Sequence, residues 1–581
     1  MLKKILCLFL ILSFVLAGCT KATEDIYSDY YEIKWIKDPN YIPVDTSSDT
    51  ELDDFYTDSD NSYTDSDNSS SSIEEEKVES KILYVKDFGA KADGITDDGN
   101  AIMEAVLNLG NCAPGSKLVF ESNKTYFISD LMGISNYALY LSDLNNVTIE
   151  GNNTTLLLDK DKSYISMSGC KNVTVKGFNF DLKLRSHFVG TVENINVEDG
   201  YFDVVSDRDF GYYNDWNPTN VPFGLKAGSE TSRTFIVISK YTMLDKGTLR
   251  YRIYADMDEG NLGTGGHVRG LKIGEEIILP VPEVGHFGER MFTLGGNENI
   301  LFQNLNIWNA REFVWGIWNS KGTITFDNVN SVPPKDEKVC FVSWRDMFHC
   351  KSNSASLIWK NCTFKGNGDD IFNLTSNMMY VKKVVSKNEV VCYWPETAGS
   401  YGDVAEGEKI VIFDVDTGEL IGKTTLKKVV DKNTNRYILA DSLPKLKSGE
   451  NIRFCFDSHS APNSQVINCD LDGTMRFRGG PVTVSDSKIR LWKMWIEWEG
   501  LVEGPLAHDI SFNNCAFSPV NDDVFIITCN SPVNKWREGL FRLENISFNN
   551  CTGINKRHFQ NDLNFREDSV DYIKFSPALT D

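Results

Sequence analysis

The sequence lacks several features that would place it in a common functional class. Basic residues number 59 against 82 acidic ones. They form no cluster of the kind that binds nucleic acid, so we expect no nucleic-acid partner. No CxxC pair or His-rich spacing marks a metal site, and we predict neither a metal nor another cofactor. Apolar stripes of 3.6-residue period are also scarce, which excludes a mainly helical chain.

Cysteine is present, but in a number that argues against a full set of disulfides. The chain has 13 cysteines, and because Cys7 and Cys19 lie in the N-terminal segment, an odd number, 11, is left for the rest. An odd count does not give a complete disulfide framework. Several cysteines follow an asparagine in a recurring phrase, and we interpret these as small apolar core residues. They are Cys362, Cys469, Cys515 and Cys551.

The first 19 residues are predicted to be a signal peptide. Lys3 and Lys4 precede an apolar stretch, residues 5–15, that is too short to cross a bilayer. The ending Leu-Ala-Gly-Cys at residues 16–19 resembles the lipobox of bacterial lipoproteins. The resemblance implies cleavage before Cys19 and a diacylglycerol on its thiol. We therefore expect a lipid-anchored protein of the cell envelope or cell surface, bound to a membrane through its N-terminal anchor.

Residues 20–80 are predicted to be a disordered, acidic tether rich in Ser and Asp. Residues 21–80 carry 18 acidic and 4 basic side chains, a net charge of −14 out of the −23 of the whole chain. The phrase Tyr-Thr-Asp-Ser-Asp-Asn occurs twice, at residues 56–61 and 63–68. Polar, acidic and repetitive sequence of this kind cannot bury enough apolar surface to fold. We interpret the segment as a stalk between the lipid anchor and the folded part.

From residue 81 onward one short pattern returns, a turn with Asn or Asp followed by an alternating apolar strand. Examples are residues 146–151, 172–177, 299–304, 322–328, 356–361, 509–514 and 545–550. Neighbouring copies often recur at 24 to 33 residues, too short for a domain and too long for a hairpin. We therefore predict an all-β fold, a right-handed parallel β-helix over residues 81–581, with equivalent strands of successive coils about 4.8 Å apart. An amphipathic helix at residues 100–109 is predicted to cap its N-terminal end.

Two stretches interrupt this rhythm, at about 187–286 and about 379–455. Both contain hairpin-like strands, and they share a related phrase, Lys-Ile-Gly-Glu-Glu at residues 272–276 and Ala-Glu-Gly-Glu-Lys at residues 405–409. We predict that each stretch forms a small β-barrel-like subdomain inserted into the β-helix. Such insertions could wall a cleft, grip a polymer, or have a structural role alone.

Residues 84–98, together with the helix that follows, resemble the opening coil of the pectate-lyase-like β-helix superfamily. The phrase is Tyr-Val-Lys-Asp-Phe-Gly-Ala-Lys-Ala-Asp-Gly-Ile-Thr-Asp-Asp. This resemblance implies the fold but not the chemistry, because the superfamily includes lyases, hydrolases, epimerases and phage tailspikes.

A second resemblance is sharper and concerns function. The segments Trp-Arg-Asp-Met-Phe-His at residues 344–349, Asn-Cys-Thr-Phe at 361–364 and Gly-Asp-Asp-Ile-Phe-Asn at 368–373 are similar to the catalytic region of glycoside hydrolase family 110. That family consists of inverting exo-α-galactosidases that remove terminal α-1,3-linked galactose. The resemblance implies an enzyme of this kind, acting on a galactose-containing oligo- or polysaccharide.

The resemblance also implies the residues of the site. Asp346, Asp369 and Asp370 are the implied catalytic residues, with Asp369 as general acid and the other two sharing the base role. Binding of the substrate is assigned to Trp344, His349, Asn373, Arg476, Arg478 and Glu503. Trp344 is chosen because an indole near the site can stack on a sugar. For His349 the alternatives are a sugar contact, tuning of a carboxylate or a core position, and for the two arginines sugar hydroxyls, an anionic substituent or an ion pair.

The chain departs from the family pattern at two places. After Asn373 the family has an apolar residue, His and Gly, whereas Leu-Thr-Ser follows here. The Arg-x-Arg-Gly segment at residues 476–479 lacks its usual preceding Asn and has Met475 instead. Both changes fall at positions expected to contact the sugar, so they bear on galactose specificity more than on hydrolysis.

The spacing of the aspartates fits a shared site. Asp369 and Asp370 follow Asp346 by 23 and 24 residues, about one coil, so we expect them on adjacent rungs. A lateral offset can open the carboxyl separation to the roughly 6.5–9.5 Å of inverting glycosidases. Mutual repulsion raises the pKa of one member, which can then act as the acid. Because successive strand residues face opposite ways, both neighbours reach the cleft only if the chain bends at Gly368.

Three other functions stay open for a chain of this fold. A family 28 polygalacturonase also uses three aspartates, but its Asn-Thr-Asp-Gly, Gly-His-Gly and Arg-Ile-Lys phrases are absent from the sequence. A calcium-dependent polysaccharide lyase would use a carboxylate cage and a basic proton acceptor. A non-catalytic glycan-binding surface protein would bind sugar without cleaving it.

Overall fold

A computed structural model describes residues 80–211, 223–226, 235–255, 271–281, 290–394, 404–417, 419–499, 503–504, 507–530, 545–559 and 573–579. These residues belong to one compact unit. The predicted signal peptide, the lipidation site Cys19 and the predicted tether up to residue 79 lie outside them. In the described part of the chain, no helix has the length and apolarity that a membrane-spanning segment requires.

Strands dominate the described residues, and the N-terminal part adds one α-helix, α1 (Gly99–Gly110), and a 3-10 turn at Val85–Phe88. The strands before the first insertion are β1 (Ile82–Tyr84), β2 (Asp93–Asp97), β3 (Lys117–Val119), β4 (Thr125–Ile128), β5 (Tyr137–Ser142), β6 (Thr148–Leu158), β7 (Ser163–Ser168) and β8 (Lys171–Leu182). The first insertion contains β9 (His187–Asn196), β10 (Tyr201–Ser206), β11 (Phe223–Lys226), β12 (Phe235–Asp245), β13 (Arg250–Ala255) and β14 (Glu276–Pro280).

The central and C-terminal parts continue in the same way around the second insertion. Before it come β15 (Arg290–Gly295), β16 (Glu298–Ile307), β17 (Phe313–Trp318), β18 (Lys321–Ser331), β19 (Phe348–Lys351), β20 (Ser356–Lys360) and β21 (Thr363–Asn377). The insertion contains β22 (Met379–Ser386), β23 (Glu389–Tyr393), β24 (Lys409–Asp414), β25 (Glu419–Asp431), β26 (Arg436–Leu439) and β27 (Gly449–Phe456). After it come β28 (Ser464–Ile467), β29 (Asp470–Phe477), β30 (Val482–Ser485), β31 (Lys488–Glu499), β32 (Glu503–Gly504), β33 (Ile510–Asn513), β34 (Ala516–Pro519), β35 (Phe525–Asn530), β36 (Ile546–Asn549) and β37 (Ile573–Ser576). Short 3-10 turns lie at Asp457–His459 and Lys556–His558.

The strands outside the insertions stack in parallel, as a β-helix requires. β16 pairs with β18 so that Ile300 lies beside Ile324, and β6 pairs with β8 so that Ile149 lies beside Val175. The predicted parallel β-helix is therefore confirmed. One of its sheets consists of β5, β7, β15, β17, β19, β21, β29, β31 and β35, and we name it the site sheet.

Asparagines occupy a turn between the sheets at equivalent places in many coils. Asn304, Asn328, Asn361, Asn468, Asn514 and Asn550 have φ between 51° and 59°, a left-handed conformation that Asn tolerates better than other non-glycine residues. Their side chains bond along the stack, as when the Asn468 amide donates to Asn361 Oδ1 at 2.8 Å. We name this set the asparagine ladder. The cysteines that follow it, such as Cys362 and Cys469, are buried, and all described cysteines are free thiols.

The interior of the β-helix is packed with aromatic rings that repeat from coil to coil. On the inner side of the site sheet, Trp315, Phe348 and Phe372 stack with ring centroids 5.8 and 5.7 Å apart. Each is fully buried. Because strand residues alternate between faces, the residue after each of these rings points outward. The core thus fixes which residues of the site sheet reach the surface.

The helix α1 closes the N-terminal end of the stack. Its apolar side chains Ile102, Met103, Val106 and Leu109 are buried, and it packs against β3 and β5. Without such a cover the first coil would expose its core and strand edges. The helix predicted at residues 100–109 is therefore present with one more residue at each end.

Both insertions are closed six-stranded antiparallel barrels with the same strand order. Around the first barrel the order is β9, β10, β13, β12, β11, β14, and around the second it is β22, β23, β26, β25, β24, β27. The two phrases that the insertions share do not occupy equivalent places. Residues 272–276 lead into β14, the last strand of its barrel, whereas residues 405–409 lead into β24, the third.

Candidate active site

The candidate site lies on the outward face of the site sheet, where β19, β21 and β29 adjoin. His349 pairs with Asn373, Asn373 with Arg476, and Arg476 with Trp495 on β31. Equivalent positions on stacked strands share a face, so these four residues form one outward row, which we name the site column. Arg476 is 103 residues after Asn373 in the sequence but lies beside it on the next coil. The second barrel, inserted between β21 and β28, accounts for most of this distance in sequence.

Asp346 reaches the site from the irregular segment just before β19. The backbone of this segment is held like a rung, because Val314 N–H donates to the Asp346 carbonyl at 3.0 Å and Met347 N–H donates to the Asp370 carbonyl at 2.8 Å. These bonds tie the segment to β17 on one side and to β21 on the other. Asp346 is thereby fixed beside Asp370, as the one-coil spacing predicts.

The bend predicted at residues 368–370 is present. The pairing of β21 with β29 shifts register on both sides of Asp370, which lies opposite Thr474. Such shifts mark bulges that change the direction of side chains. A Cβ at Gly368 would lie 2.4 Å from the Trp344 carbonyl oxygen, so the close approach of the two segments requires glycine.

The three aspartates converge at this bulge. One carboxylate oxygen from each of Asp346, Asp369 and Asp370 lies within 4.8 Å of the others. Asp346 is held by two residues of the site column: His349 Nδ1 lies 2.6 Å from its Oδ2, and the Asn373 amide donates to the same oxygen at 3.3 Å. Of the roles open to His349, the contact with a carboxylate is the one observed.

The other two carboxylates each have a guanidinium partner. Arg345 Nη1 donates to Asp369 Oδ2 at 3.2 Å, and Arg476 Nε lies 3.4 Å from Asp370 Oδ2. The Thr474 hydroxyl donates to Asp370 Oδ1 at 2.9 Å. The side chain of Asp369 is 37% exposed, whereas that of Asp370 is 3% exposed. Asp369 is therefore the member of the cluster that a substrate can reach.

Burial raises the pKa of Asp370 well above its ordinary value. The neighbouring carboxylates Asp369 and Asp346 add to this shift, and Arg476 and the Thr474 hydroxyl oppose it. The raised pKa favours the protonated form of Asp370, and a carboxyl that keeps its proton beside other carboxylates is what acid–base chemistry needs. The sequence-based division of roles gave the proton to Asp369. The carboxyl whose pKa burial raises is its neighbour Asp370, and the assignment of Asp369 as the acid stays a prediction.

The closest oxygens of the three carboxylates lie within 4.8 Å of one another. The roughly 6.5–9.5 Å that leaves room for water in inverting glycosidases is a separation between whole carboxyl groups, not between their closest oxygens. Inversion therefore stays a prediction, and it depends on the family resemblance.

Of the remaining predicted substrate-binding residues, Trp344 is placed differently from the expectation. Trp344 is 5% exposed, and its indole N–H donates to the Ser186 carbonyl at 3.1 Å. Since its ring also packs on Phe341 at 4.5 Å, a stacking role for Trp344 is wrong, and it anchors the Asp346 segment instead. Arg478 is buried. Glu503 pairs through its backbone with Asn377, and its side chain lies outside the described residues.

Sequence reasoning missed Arg345, Thr474 and Trp495. Arg345 directly precedes a predicted catalytic residue, and Thr474 shares the face of Arg476 by the two-residue period of a strand. Both residues could therefore have been predicted from the sequence. Trp495 lies with its ring centroid 4.7 Å from the Arg476 guanidinium, a contact that depends on the register of β29 and β31. Nothing in the local sequence marks that register.

The carboxylate cluster is also the group that could hold a metal ion within the described residues. Calcium takes six to eight oxygen ligands. Here Arg345 and Arg476 lie 3.2 and 3.4 Å from two of the three carboxylates, and their positive charges oppose a divalent cation. The arrangement fits an acid–base cluster better than the calcium cage of a lyase.

Comparison with known proteins found two curated relatives in sequence. Alpha-1,3-galactosidase B of Bacteroides thetaiotaomicron is 23% identical over 443 residues, covering 69% of this chain and 68% of the relative. Alpha-1,3-galactosidase A of the same bacterium is 21% identical over 339 residues, covering 56% of each chain. No protein-family model matches the chain.

Solved structures of similar fold include a polygalacturonase from Erwinia carotovora and the surface adhesin PfbA of Streptococcus pneumoniae. The first is 11% identical, with a TM-score of 0.37 and coverage of 89% of this chain and 96% of the other. The second is 10% identical, with a TM-score of 0.31 and coverage of 81% and 84%. At these scores neither neighbour informs the chemistry of the site. The relatives in sequence do confirm the resemblance predicted above: the chain is a parallel β-helix protein related to bacterial alpha-1,3-galactosidases.

Proposed function

We propose that the chain is a glycoside hydrolase that releases terminal α-linked galactose from glycans. The observation that carries the proposal is the convergence of Asp346, Asp369 and Asp370 on the outward face of the site sheet. Two curated relatives named alpha-1,3-galactosidase support the choice of sugar and linkage. A cluster that holds both a protonated and an ionised carboxyl can protonate a leaving group and activate water.

Within this proposal Asp369 is the general acid and Asp346 the base. Asp369 is the accessible carboxyl, 37% exposed against 4% for Asp346. Asp346 is fixed by His349 and Asn373, which hold one of its oxygens. Asp370, whose pKa is raised by burial, keeps a proton in the cluster and can pass it to its neighbour. Coupled carboxyls share a proton as a unit, so the role belongs to the pair.

The decisive experiment is a screen of galactose release from a panel of glycans ending in α-1,3-, α-1,4- and α-1,6-linked galactose. We expect release from the α-1,3 members, with loss of release in Asp369→Asn. A non-catalytic glycan-binding protein would instead release no reducing sugar and would bind glycan equally well with and without the substitution. A lyase would act on uronate polymers and form an unsaturated product that absorbs ultraviolet light.

The stereochemical course is a separate part of the proposal. An inverting enzyme releases β-galactose first from an α-linked substrate. An NMR time course of the anomeric signals distinguishes it from a retaining enzyme. α-Galactose as the first product would overturn inversion without overturning hydrolysis.

We also propose that the mature protein is lipid-anchored at the cell envelope or surface through Cys19. The lipobox-like ending of the signal peptide supports this. Radiolabelled fatty acid should be incorporated into the native chain and not into Cys19→Ala. Equal incorporation into both would remove Cys19 as the anchor.

A further inference from the structure

A second polar surface lies on the site sheet next to the carboxylate cluster, on β15 and β17. Thr293 on β15 pairs with Gly316 on β17, and Gly316 pairs with His349. Gly316 therefore extends the site column by one strand toward the N-terminus. The surface adjoins the proposed active site and is assigned no role by the catalytic chemistry.

Two glycines make room there for large side chains to lie across the sheet. A Cβ on Gly316 would come within 2.0 Å of Cδ of Arg290, so the Arg290 side chain passes directly over this glycine. A Cβ on Gly295 would come within 2.7 Å of Nε1 of Trp318, so the indole lies over that one. The result is a half-buried arginine beside a half-buried tryptophan.

Arg345 and Arg476 each lie beside a carboxylate. Arg290 differs from them in the groups that surround its guanidinium. Its guanidinium lies 5.6 Å from the Phe313 ring and 5.8 Å from the Trp318 ring. Its Nε is buried and has no hydrogen-bond partner among the residues that the structure describes. Burial lowers the pKa of Arg290, with Tyr137 and Asp346 opposing the shift, and within the described residues Arg290 forms no ion pair.

Other guanidiniums near the surface of the β-helix do have a carboxylate. Arg345 bonds to Asp369 beside the site sheet. On the first part of β31, which pairs with β34 rather than with β35, Arg490 lies 3.2 Å from Asp472 and 4.9 Å from the centroid of the Trp492 ring. Removing a cation from water without an anion costs free energy. An anion supplied by a ligand would offset that cost at Arg290, and the neighbouring indole offers an apolar surface on which the C–H face of a sugar can pack.

We propose that Arg290 and Trp318 form a subsite for an acidic sugar, one that carries a sulfate ester or a carboxylate, next to the galactose to be released. The inference rests on the proposed function for the position of that galactose. β17 lies two strand spacings, about 10 Å, from β21, within reach of the sugar that follows a galactose held at the carboxylate cluster. The natural substrate class is then an acidic galactose-containing glycan.

The kinetic test compares Arg290→Met with the native chain on three kinds of substrate. These are a neutral α-1,3-galactobiose, the same disaccharide with a sulfate or a carboxylate on the second sugar, and an aryl α-galactoside that occupies the galactose subsite alone. We expect kcat/KM on the acidic disaccharides to fall about tenfold or more, through a charge-assisted contact. Activity on the aryl substrate should stay within about twofold. The acidic disaccharide that shows the larger loss of kcat/KM, the sulfated or the carboxylated one, identifies which anion the subsite binds.

Matched variants separate the subsite from general effects on folding. Arg490→Met removes a guanidinium from a similar Arg–Trp pair that already has Asp472, and we expect no selective loss on acidic substrates. Trp318→Leu should weaken the neutral and acidic disaccharides alike while sparing the aryl substrate. Equal losses on acidic, neutral and aryl substrates in Arg290→Met would overturn the proposal.

A binding measurement keeps the test valid if the chain hydrolyses none of these substrates. Galactose 6-sulfate, galacturonate and galactose are titrated into the native chain and into Arg290→Met by calorimetry. Selective binding of an acidic sugar that disappears in the variant supports the subsite even if the proposed hydrolysis fails. No preference of the native chain for either acidic sugar over galactose would overturn the subsite and leave the proposed hydrolysis untouched.

Discussion

Two rows of polar side chains run along the β-helix, and they differ in how their members find partners. The asparagine ladder repeats one residue type, and its side chains bond to one another from coil to coil, as Asn328 does to Asn304 and Asn550 to Asn514. The site column places a different residue in each coil, and these residues bond sideways. His349 and Asn373 contact Asp346, and Arg476 contacts Asp370.

The difference teaches where to look for function in a repetitive fold. A repeated residue satisfies its own neighbours, so its row is complete without a ligand and contributes to stability. A row whose members change from coil to coil does not satisfy its polar groups by stacking alone. In this chain such a row borders the carboxylate cluster.

The largest expected effect separates functional aspartates from structural ones. Asp346→Asn and Asp369→Asn remove the proposed base and acid, and each should lower kcat by about 10³-fold or more while the fold stays intact. Asp522→Asn is the matched control, because Asp522 also belongs to an Asp-Asp pair but is 63% exposed and paired with Arg557 at 3.3 Å. It should leave kcat unchanged. Full activity in both site variants, measured beside unchanged circular dichroism, would move the active site elsewhere.

A smaller effect distinguishes the acid from the base within the cluster. A substrate whose leaving group needs no proton, such as a dinitrophenyl α-galactoside, bypasses the general acid. Asp369→Asn should therefore recover most of its kcat on that substrate, whereas Asp346→Asn should not. Recovery in Asp370→Asn instead would assign the acid to the buried carboxyl, in line with its raised pKa.

The pH dependence of stability tests whether Asp370 is protonated in the folded chain. Burial raises its pKa above the ordinary value of 3.8, so between that pH and the raised pKa the folded state binds more protons than the unfolded state. Stability from this group is fully present below about pH 4 and is lost as the pH rises through the folded pKa. Asp370→Asn should flatten this slope in urea unfolding measured at a series of pH values above about 4.

The comparison of native chain and variant cancels the contribution of other groups. Burial also raises the pKa of Asp181, to about 6, with Arg185 opposing the shift, and this carboxyl is present in both proteins. Parallel slopes in the two proteins would mean that Asp370 is ionised in the fold. In the native chain, kcat/KM should also fall as the pH rises through the pKa of the cluster.

Much of the fold was predictable because each coil repeats a local pattern. The Asn-containing turns and alternating strands predicted the β-helix, and the two interruptions of that rhythm predicted the barrels. The barrel strands run from His187 to Pro280 and from Met379 to Phe456, against predicted bounds of about 187–286 and 379–455. The spacing of Asp346 and Asp370 by one coil gave their juxtaposition. These features depend on local sequence and on a period that can be counted.

What could not be predicted depends on register and on burial. Trp344 was expected at the surface, but its bond to Ser186 places it beneath the first barrel's entry strand. The raised pKa of Asp370 follows from the burial of its carboxyl at the bulge in β21. The Arg290 side chain crosses to the next strand over Gly316, a contact between coils that no local pattern marks.

The smallest effect concerns the asparagine ladder. Asn361 has φ of 59° and accepts a hydrogen bond from Asn468 while donating to Asp327 at 3.2 Å. Asn361→Ala should lower the free energy of unfolding by about 1–3 kcal/mol, because it loses these bonds and places a Cβ-bearing residue without a polar side chain in the left-handed region. Asn361→Gly loses the same bonds but relieves the backbone strain, so its loss should be smaller. Both variants should keep the native kcat, since the ladder lies apart from the site column, and a large fall in kcat without a fall in urea midpoint would break the distinction between the two rows.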